Sequence, residues 1–406
     1  MGVRERVPIY LKEINIMKKI FEKGLSLVLA TATAVSIGTT GFAAEETAAY
    51  PQTVSPVFEI FTDLAERLAS VFIGSTNPKS EIEFICDSDA IFEARKHFVS
   101  SHASTIVKMS NGNILSAWFA GKEEGSSDVR IWYSVYDGQI WSEPKQIETS
   151  DTQAHWNPVL ESNTLYTRLY YKVGDDTKTW VAKYVDTFDF GATWTEPKEL
   201  VEGDTSGGRG PVKNKCLTTS DGIIIAPAST EQGSWKAFFD ISEDGGKTWT
   251  KTDYVASKNL LGADAQMIQP TLWEDKEGGI HAMFRTKSGR IYRSDSYDGG
   301  YTWCEAYSTG LMNNSSGIDC VMTDNGWLWL AYNPIGIEGL RNRLILSVSK
   351  DNGETWEDVM TLEEAPMNPF SEYSYPSIVE DGNNLYISYT YERKQIKYAF
   401  IEFTEN

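Results

Sequence analysis

The sequence predicts an all-β protein whose strands form a six-bladed β-propeller, preceded by an export signal and a short helical segment. Two observations support this prediction: a turn motif ending in tryptophan recurs at a nearly constant interval, and the composition suits short strands joined by tight turns. The chain of 406 residues contains 20 Tyr, 13 Trp and 32 Gly. Aromatic residues favour strands, whereas glycine favours the turns that connect them.

The repeated motif has the form Ser/Thr-x-Asp-x-Gly-x-Thr-Trp. Full copies begin at Thr187, Ser242, Ser296 and Ser349, and a degenerate copy runs from Ser134 to Trp141. Their tryptophans lie at positions 141, 194, 249, 303 and 356, which are 53 to 55 residues apart. A fixed period of this length is typical of propeller blades.

The chemistry of the motif indicates a structural role in each blade. Ser and Asp side chains bond the backbone of their own turn, and Gly takes a positive-φ position. The Trp side chain is expected to pack against the hydrophobic interior of its blade. We therefore predict five equivalent hairpins, none of them catalytic.

A sixth unit, from Tyr375 to Phe403, contains predicted strands but lacks the motif. We predict that the N-terminal segment from Ile82 to Ile85 supplies its missing outer strand. Joining both ends of the chain in one blade removes an exposed sheet edge. The predicted propeller covers residues 81–406.

Residues 1–43 have the features of a cleavable signal peptide. A basic start at Met17-Lys18-Lys19 precedes an apolar segment, 25–37, and small residues place the cleavage site after Ala43. Met17 is an alternative start of translation. The apolar segment is too short for a comfortable membrane span. We therefore expect a secreted protein without stable membrane insertion.

Residues 44–80 are predicted to be a linker that contains one amphipathic helix. The apolar residues of this segment recur at helical spacing between Phe58 and Phe72. Few basic residues accompany them, so we expect this helix to dock on a protein surface rather than on a membrane.

The formal net charge of the chain is −20. Such a surface repels nucleic acid and anionic membranes, so we expect no nucleic-acid partner. Any acidic substrate requires a locally basic site. We expect a monomer without a cofactor. The four cysteines, Cys86, Cys216, Cys304 and Cys320, form no CxxC pattern, and their pairing stays open.

With these repeats, residues 82–403 resemble the sialidase (neuraminidase) superfamily of BNR or Asp-box propellers. Two segments carry further resemblance: Glu-Tyr-Ser-Tyr-Pro-Ser-Ile at 372–378 and Met-Phe-Arg-Thr-Lys-Ser-Gly-Arg-Ile-Tyr at 283–292. The resemblance implies that Tyr375 is the nucleophile and that Arg285 binds the substrate carboxylate. A planar guanidinium matches a carboxylate, and a phenol nucleophile needs a neighbouring base.

The chain also departs from the family pattern. His102 stands where the family places an arginine in its first blade, and Gln269 stands where many members have the glutamate that activates the tyrosine. A glutamine side chain does not accept the phenolic proton. The region 313–319 shows no clear match for a third arginine. The acid/base loop, 122–128, is shortened, and it offers Glu123, Glu124 or Asp128 as alternative carboxylates for the acid/base role.

Further polar residues occupy corresponding early positions of the blades, which converge on the axis of a propeller. The predicted substrate-binding residues are Arg285, Arg209, Lys213, Lys215, Lys172, His155, Asn157, Gln269 and Trp118, with Trp156 as a second stacking platform. The predicted catalytic residues are Tyr375, Glu231, Asp319, Asp128 and His102. A His102–His155 zinc pair lacks a third ligand, so we predict no metal site.

Three functions remain open on these residues. The first is an exported exo-glycosidase of the sialidase type that hydrolyses a terminal acidic sugar. The second is a polysaccharide lyase acting on a uronate, which needs cations for the carboxylate and a His or Tyr to remove the neighbouring proton. The third is a glycan-binding propeller without chemistry, which His102 and Gln269 favour. The sequence leaves the sugar, its linkage and the stereochemistry of the reaction undetermined.

Overall fold

The computed structural model describes residues 56–71 and 82–405, which fall into two units. The first unit contains helix α1 (Pro56–Ala69), which confirms the predicted short helix. Pro56 suits the first turn of a helix because its missing N–H has no intrahelical partner there. Glu59 and Arg67 complement the helix dipole in the first and last turns. The predicted signal peptide, 1–43, lies outside the described residues.

The second unit is a propeller of six four-stranded antiparallel sheets, as predicted. Strand β1 (Ile82–Ala90) comes first in the chain and belongs to the last blade. Blade 1 contains β2 (Ser100–Lys108), β3 (Ile114–Gly121), β4 (Arg130–Tyr136) and β5 (Lys145–Gln146). Blade 2 contains β6 (His155–Ser162), β7 (Thr167–Val173), β8 (Val181–Thr187) and β9 (Lys198–Glu199). Blade 3 contains β10 (Leu217–Thr218), β11 (Ile224–Thr230), β12 (Lys236–Ser242) and β13 (Thr250–Lys251).

The remaining three blades follow the same order. Blade 4 contains β14 (Met267–Glu274), β15 (Ile280–Thr286), β16 (Arg290–Ser296) and β17 (Tyr307–Met312). Blade 5 contains β18 (Asp319–Met322), β19 (Leu328–Tyr332), β20 (Arg343–Ser349) and β21 (Glu357–Glu364). Blade 6 contains β22 (Tyr373–Asp381), β23 (Asn384–Tyr391) and β24 (Gln395–Glu405), with β1 as its outer strand. No helix in the described ranges is long and apolar enough to cross a membrane.

The two ends of the propeller chain close the ring in blade 6. Strand β1 pairs antiparallel with β24 from Ile82 opposite Glu405 to Ala90 opposite Lys397. The pairing confirms that the N-terminal segment completes the last blade, although the strand extends beyond the predicted Ile85. Because the closing hydrogen bonds join residues from both termini, the ring closes only when the whole propeller chain has folded.

Side-chain hydrogen bonds hold the turn of each full repeat. In blade 3, Asp244 Oδ1 accepts hydrogen bonds from the backbone N–H groups of Lys247 and Thr248, at 3.0 and 2.9 Å. The Ser242 hydroxyl accepts one from Gly246, at 2.8 Å, where the backbone has a φ of 80°. In the degenerate repeat, Asp137 keeps two such bonds from backbone N–H groups, at 2.9 Å each. The motif residues therefore shape hairpins, as predicted.

The tryptophans of the motif pack at the seams between blades, where they contact the preceding blade; Trp141 also lies 5.4 Å from Tyr136 of its own blade. The Trp303 ring of blade 4 stacks on Phe239 of blade 3 at a centroid distance of 4.1 Å. Trp194 of blade 2 contacts Tyr133 of blade 1 at 5.5 Å, and Trp141 of blade 1 approaches Tyr398 of blade 6 at 5.5 Å. The predicted packing within one blade is therefore wrong. Neighbouring sheets pack face to face, so a ring that projects from one sheet lies on the next.

We expect Trp303→Ala to lower the free energy of unfolding by about 2–3 kcal/mol, because the substitution removes an aromatic contact between two blades. Phe188→Ala is the matched control, since the Phe188 side chain is 66% exposed. The control should change the free energy of unfolding by no more than about 0.5 kcal/mol. Urea unfolding monitored by circular dichroism measures both values. Equal stabilities of the two variants would contradict an inter-blade role for Trp303.

Candidate active site

Four inner strands carry the same backbone irregularity near their first residues. Ala103, Asn157, Gln269 and Tyr375 have φ angles of 54°, 39°, 54° and 54°. At each of these positions the register with the neighbouring strand shifts. Such bulges redirect side chains and are frequent beside functional sites. Three of these residues precede a proline, which has no N–H group to leave unpaired in a bulge.

Arg285 and Tyr375 form the centre of the site. Arg285 Nη1 donates hydrogen bonds to the Tyr375 hydroxyl at 2.7 Å and to Gln269 Oε1 at 3.0 Å. Its Nη2 donates to the carbonyl oxygen of Ser315. Arg285 is only 5% exposed, and its guanidinium carbon lies 4.9 Å from the Trp235 ring. The structure thus brings together three predicted site residues, Arg285, Tyr375 and Gln269.

His102 packs directly on Tyr375, with ring centroids 4.3 Å apart. Its Nδ1 lies 3.0 Å from Thr390 Oγ1, and its Nε2 lies 3.3 Å from Arg393 Nη2. Because a guanidinium only donates hydrogen bonds, Nε2 is the acceptor and Nδ1 carries the proton. Burial, and then the charge of Arg393, lower the pKa of His102 well below its ordinary value. The imidazole beside Tyr375 is therefore neutral.

Two arginines and a glutamate that sequence reasoning missed complete this cluster. Glu372 accepts hydrogen bonds from Arg341 Nη1 and from Arg393 Nε, each at 2.8 Å. The Arg341 guanidinium lies 5.6 Å from the Tyr375 ring. Arg393 lies beside His102, which stands where the resemblance places the first-blade arginine. Arginines from blades 5 and 6 therefore join that of blade 4 around Tyr375.

One signal in the sequence pointed to Arg393. The hairpin between β23 and β24 turns through residues 392–394, and its central turn residues Glu392 and Arg393 have φ angles of 54° and 49°. Two successive positive-φ turn positions favour Asn and Gly, so two charged residues there are unusual and strained. Arg341 gave no comparable signal, because it lies in an irregular segment before β20.

The rim of the site includes one of the three carboxylates considered for the acid role. Glu124, on the exposed loop between β3 and β4, accepts a hydrogen bond from Arg393 Nη1 at 2.5 Å. Asp128 instead accepts a hydrogen bond from the backbone N–H of Lys122 at 3.0 Å, which closes the same loop. The carboxylate that the structure places against the arginine cluster is therefore Glu124 rather than Asp128.

Glu231 lies near Arg285 at the end of β11 and is partly buried. Burial raises the pKa of its carboxyl group, and Arg285 and a hydrogen bond with Thr177 lower it in part. Within residues 82–405, the hydrogen-bond partner of the Tyr375 hydroxyl is Arg285, and no carboxylate bonds to it. The Tyr–Glu pair that the resemblance implies is therefore not formed by direct contact.

Asp319 lies between blades, where it has a structural role, and its carboxylate does not contact Tyr375. Its carboxylate is fully buried and accepts hydrogen bonds from Lys215 Nζ at 3.0 Å, Thr271 Oγ1 at 2.7 Å and the Ile378 N–H at 2.9 Å. These donors come from blades 3, 4 and 6. The prediction that Asp319 is a base and that Lys215 binds substrate is corrected, because the two charges neutralise each other between blades.

Lys213 is likewise buried, at 3% exposure. Its ammonium group donates hydrogen bonds to Asn214 Oδ1 at 2.8 Å, to the Ile318 carbonyl at 3.0 Å and to the Pro376 carbonyl. Burial lowers the pKa of Lys213 to about 7, whereas three acceptors engage all three protons of the charged form. Lys213 therefore holds the backbone next to Tyr375, and its predicted contact with substrate is corrected.

Arg209 and Lys172 form a separate buried cluster. Arg209 donates hydrogen bonds to Asp240 at 2.9 Å and to Asp204 at 3.2 Å. Lys172 donates to the Arg209 carbonyl, and burial lowers the pKa of Lys172 to about 7. The carboxylates of this cluster already balance the Arg209 charge and occupy its guanidinium. The prediction that Arg209 binds a substrate carboxylate is therefore corrected.

The remaining predicted residues are buried. His155 is 0% exposed, and its Nε2 lies 3.5 Å from Asp151. Trp118 is also 0% exposed and packs on Phe92 at 4.8 Å, so its predicted stacking on a sugar is wrong. Trp156 is 8% exposed. Asn157 keeps its place at a bulged inner strand but is 5% exposed. These aromatic rings fill the spaces between blades.

A sequence profile of the BNR repeat-like domain matches residues 112–387, which is more than half of the chain. This match assigns the six-bladed propeller to the BNR repeat class. The chain belongs to the BNR repeat-like domain family, which confirms the resemblance of its repeats. A search of curated proteins found no match.

Solved structures share the fold at low identity. The Hadza microbial sialidase Hz136 is 16% identical, with 78% of this chain and 68% of that chain covered and a TM-score of 0.64. A protein of unknown function from Dyadobacter fermentans is 16% identical, with 80% and 100% covered and a TM-score of 0.65. A Trypanosoma rangeli sialidase in complex with the inhibitor DANA is 15% identical, with 78% and 59% covered and a TM-score of 0.60. The chain thus has a sialidase-like propeller fold.

We expect Lys213→Ala to lower the free energy of unfolding by about 2–4 kcal/mol, because it leaves buried carbonyl groups without a donor. Lys287→Ala is the control, since this lysine is exposed and its removal should change stability by no more than about 0.5 kcal/mol. Chemical unfolding of both variants gives the comparison. Unchanged stability of Lys213→Ala would restore Lys213 as a candidate for substrate binding.

Proposed function

We propose that the protein is an exported, sialidase-like exo-glycosidase that hydrolyses a terminal acidic sugar, sialic acid or a related sugar, from glycans. The observation that carries the proposal is the 2.7 Å hydrogen bond from Arg285 to the Tyr375 hydroxyl. It places a carboxylate-binding group next to a phenol oxygen, as an acidic sugar requires when its carboxylate is attached to the reacting carbon. Export rests on the predicted signal peptide, 1–43, and the linker, 44–80, separates it from the propeller.

The roles of the residues follow from their positions. Arg285 and Arg341 hold the sugar carboxylate, and the Tyr375 oxygen attacks or stabilises the anomeric carbon. The hydrogen bond from Arg285 fixes the position of the Tyr375 oxygen. Glu231, whose pKa burial raises, is the base for the phenolic proton, which a bridging water molecule carries from Tyr375 to its carboxylate. Glu124 at the rim protonates the leaving oxygen. A water molecule that gives its proton to Glu124 then attacks the anomeric carbon and displaces the Tyr375 oxygen, which regains its proton from Glu231.

A second candidate function is elimination on a uronate-containing glycan. One observation favours it: the neutral imidazole of His102 packs 4.3 Å from Tyr375, while the Tyr375 hydroxyl bonds to an arginine rather than to a carboxylate. A lyase uses cations to neutralise the sugar carboxylate and a Tyr or His to remove the adjacent proton. The hydrolase remains the proposal because the fold is that of sialidases.

The decisive measurement is the mass of the products formed from a panel of sialylated and uronate-rich glycans by residues 44–406. We expect release of an acidic sugar with the gain of one water. Tyr375→Phe should lower kcat by about 10²-fold or more, because the reacting oxygen is removed. An unsaturated product without added water would replace the hydrolase by a lyase. Glycan binding without any product would replace both by a binding protein.

A further prediction concerns the carboxylate site. Arg285→Ala should raise KM by about 100-fold for the acidic substrate, because the loss of a charged bidentate contact costs several kcal/mol. Arg290→Ala serves as the matched control, since Arg290 donates to the Gly310 carbonyl at the side of the blade, and its KM should stay within about twofold. Steady-state kinetics of the two variants, with folding checked by circular dichroism, make the comparison. Unchanged kinetics of Arg285→Ala would remove Arg285 from the site.

A further inference from the structure

A cavity lies at the seam between blades 3 and 4. Its volume is about 250 Å³. Its walls come from the start of β12, from the segment after β13 and from the residues before β14. The lining residues are Trp235, Lys236, Tyr254, Val255, Ala256, Ser257, Asp264 and Met267. None of them was singled out by the sequence, and none belongs to the arginine cluster around Tyr375.

The strand register places this cavity on the same face of the propeller as Tyr375. Met267 is the first residue of β14, two residues before Gln269 of the central site. Arg285 pairs with Ile268 on the adjacent strand. On the blade 3 side, the N–H of Val255 donates to the carbonyl of Ala237 at 3.0 Å, near the start of β12. Both walls of the cavity therefore lie at the level where the central site opens.

Trp235 connects the cavity with the central site. Its ring lies 4.9 Å from the guanidinium carbon of Arg285 and also lines the cavity. Lys287 Nζ lies 4.5 Å from the same ring. One half-buried indole therefore separates a group bound by Arg285 from a group bound in the cavity. Two adjacent units of one chain fit on the two sides of this ring.

The chemistry of the cavity suits an anionic sugar. Tyr254 is 45% exposed, and Lys251 and Lys236 place their ammonium groups 4.7 and 5.2 Å from its ring. Lys251 also donates to the Tyr254 hydroxyl at 3.2 Å. Asp264 carries the opposite charge, but its Oδ1 accepts hydrogen bonds from Ser257 and Gln266. Exposed aromatic faces stack on sugar rings, and flanking lysines attract carboxylates.

The concentration of lysine here contrasts with the rest of the molecule. The chain has a formal net charge of −20. In this region, however, Lys236 and Lys251 contact the Tyr254 ring, and Lys287 contacts the Trp235 ring. In an acidic protein, a local group of exposed cations next to a cationic site extends the attraction for an anionic chain. A neutral glycan gains no charge attraction from this arrangement.

We propose that the cavity between Trp235 and Tyr254 is a second subsite, which binds the penultimate unit of an acidic glycan through that unit's own carboxylate. The inference rests on the proposed function, because it assigns the terminal unit to the Tyr375 site. It deepens that function by naming the substrate class: a glycan with at least two consecutive acidic sugars. The terminal unit contacts Arg285, the penultimate unit contacts Tyr254 and its lysines, and Trp235 lies between them.

The test compares monomers with dimers of acidic sugars. The probes are sialic acid and its α2,8-linked dimer, and galacturonic acid and its α1,4-linked dimer, titrated by calorimetry into the Tyr375→Phe protein so that they are not consumed. We expect one dimer to bind at least about tenfold more tightly than its monomer. Tyr254→Ala and Lys236→Glu should remove that gain and leave the affinity for the monomer unchanged.

Tyr297→Ala is the matched control, since Tyr297 is an exposed tyrosine, at 81%, in the repeat turn of blade 4. It should keep the preference for the dimer. Because Tyr254 and Lys236 are exposed, their substitution leaves the fold intact, which thermal unfolding verifies. Added salt should weaken the binding of the dimer more than that of the monomer, since the subsite contributes further charge contacts.

The possible results distinguish a failure of the subsite hypothesis from a failure of the proposed function. Equal affinities for a monomer and its dimer, or a preference for the dimer that Tyr254→Ala and Lys236→Glu leave unchanged, overturn the subsite alone. Failure of every monomer and dimer to bind the protein overturns the proposed function, and the subsite with it. Loss of the preference for the dimer in both cavity variants, with monomer binding retained, supports the subsite.

Discussion

The buried carboxylate of Asp319 is the interaction on which the rest of the centre depends. It lies in blade 5 and accepts hydrogen bonds from blades 3, 4 and 6 through Lys215, Thr271 and the N–H of Ile378. Thr271 follows Gln269 by two residues, and Ile378 follows Tyr375 by three. A buried charge is tolerated only where several partners satisfy it, so these donors fix the relative positions of the inner strands. The positions of these strands in turn determine the distances between the side chains of the site.

Two kinds of cation therefore occupy the centre of this acidic propeller. Lysines beneath the site, Lys213 and Lys215, donate to carbonyls and to Asp319, and they stabilise the junction of the blades. Arginines at the opening surround Tyr375, and the buried Nε of Arg285 has no hydrogen-bond partner among the residues that the structure describes. A lysine ammonium suits the first role because it bonds three acceptors in different directions. A planar guanidinium suits the second because it matches a carboxylate.

Backbone strain is concentrated at the same opening. Non-glycine residues with positive φ lie near the start of four inner strands. The turn at Glu392 and Arg393 contains two more residues of this kind. Such conformations cost free energy and persist where the surrounding structure enforces them. Here the enforcing contacts are the blade junctions and the stacked tryptophans. The stable outer ring thus supports a strained centre, in which Tyr375 and Arg393 adopt conformations that an isolated hairpin would avoid.

The sequence by itself determined the number of blades and the closure of the ring by the first strand, which follow from the period of the turns and from the missing outer strand. The resemblance of two short segments to sialidases also assigned Arg285 and Tyr375 to one site, whereas only the tertiary structure shows the hydrogen bond between them. Only the tertiary structure decided that the motif tryptophans pack on the preceding blade and that Trp118 is buried. It also decided that Arg341, Arg393 and Glu372 join the site. His102 and Arg393 are 291 residues apart in the chain, and Lys215 and Asp319 are 104 apart. A repeated turn motif predicts its own hairpin, because its residues bond to each other. Contacts across a closed ring depend on the angle between blades, which no local pattern encodes.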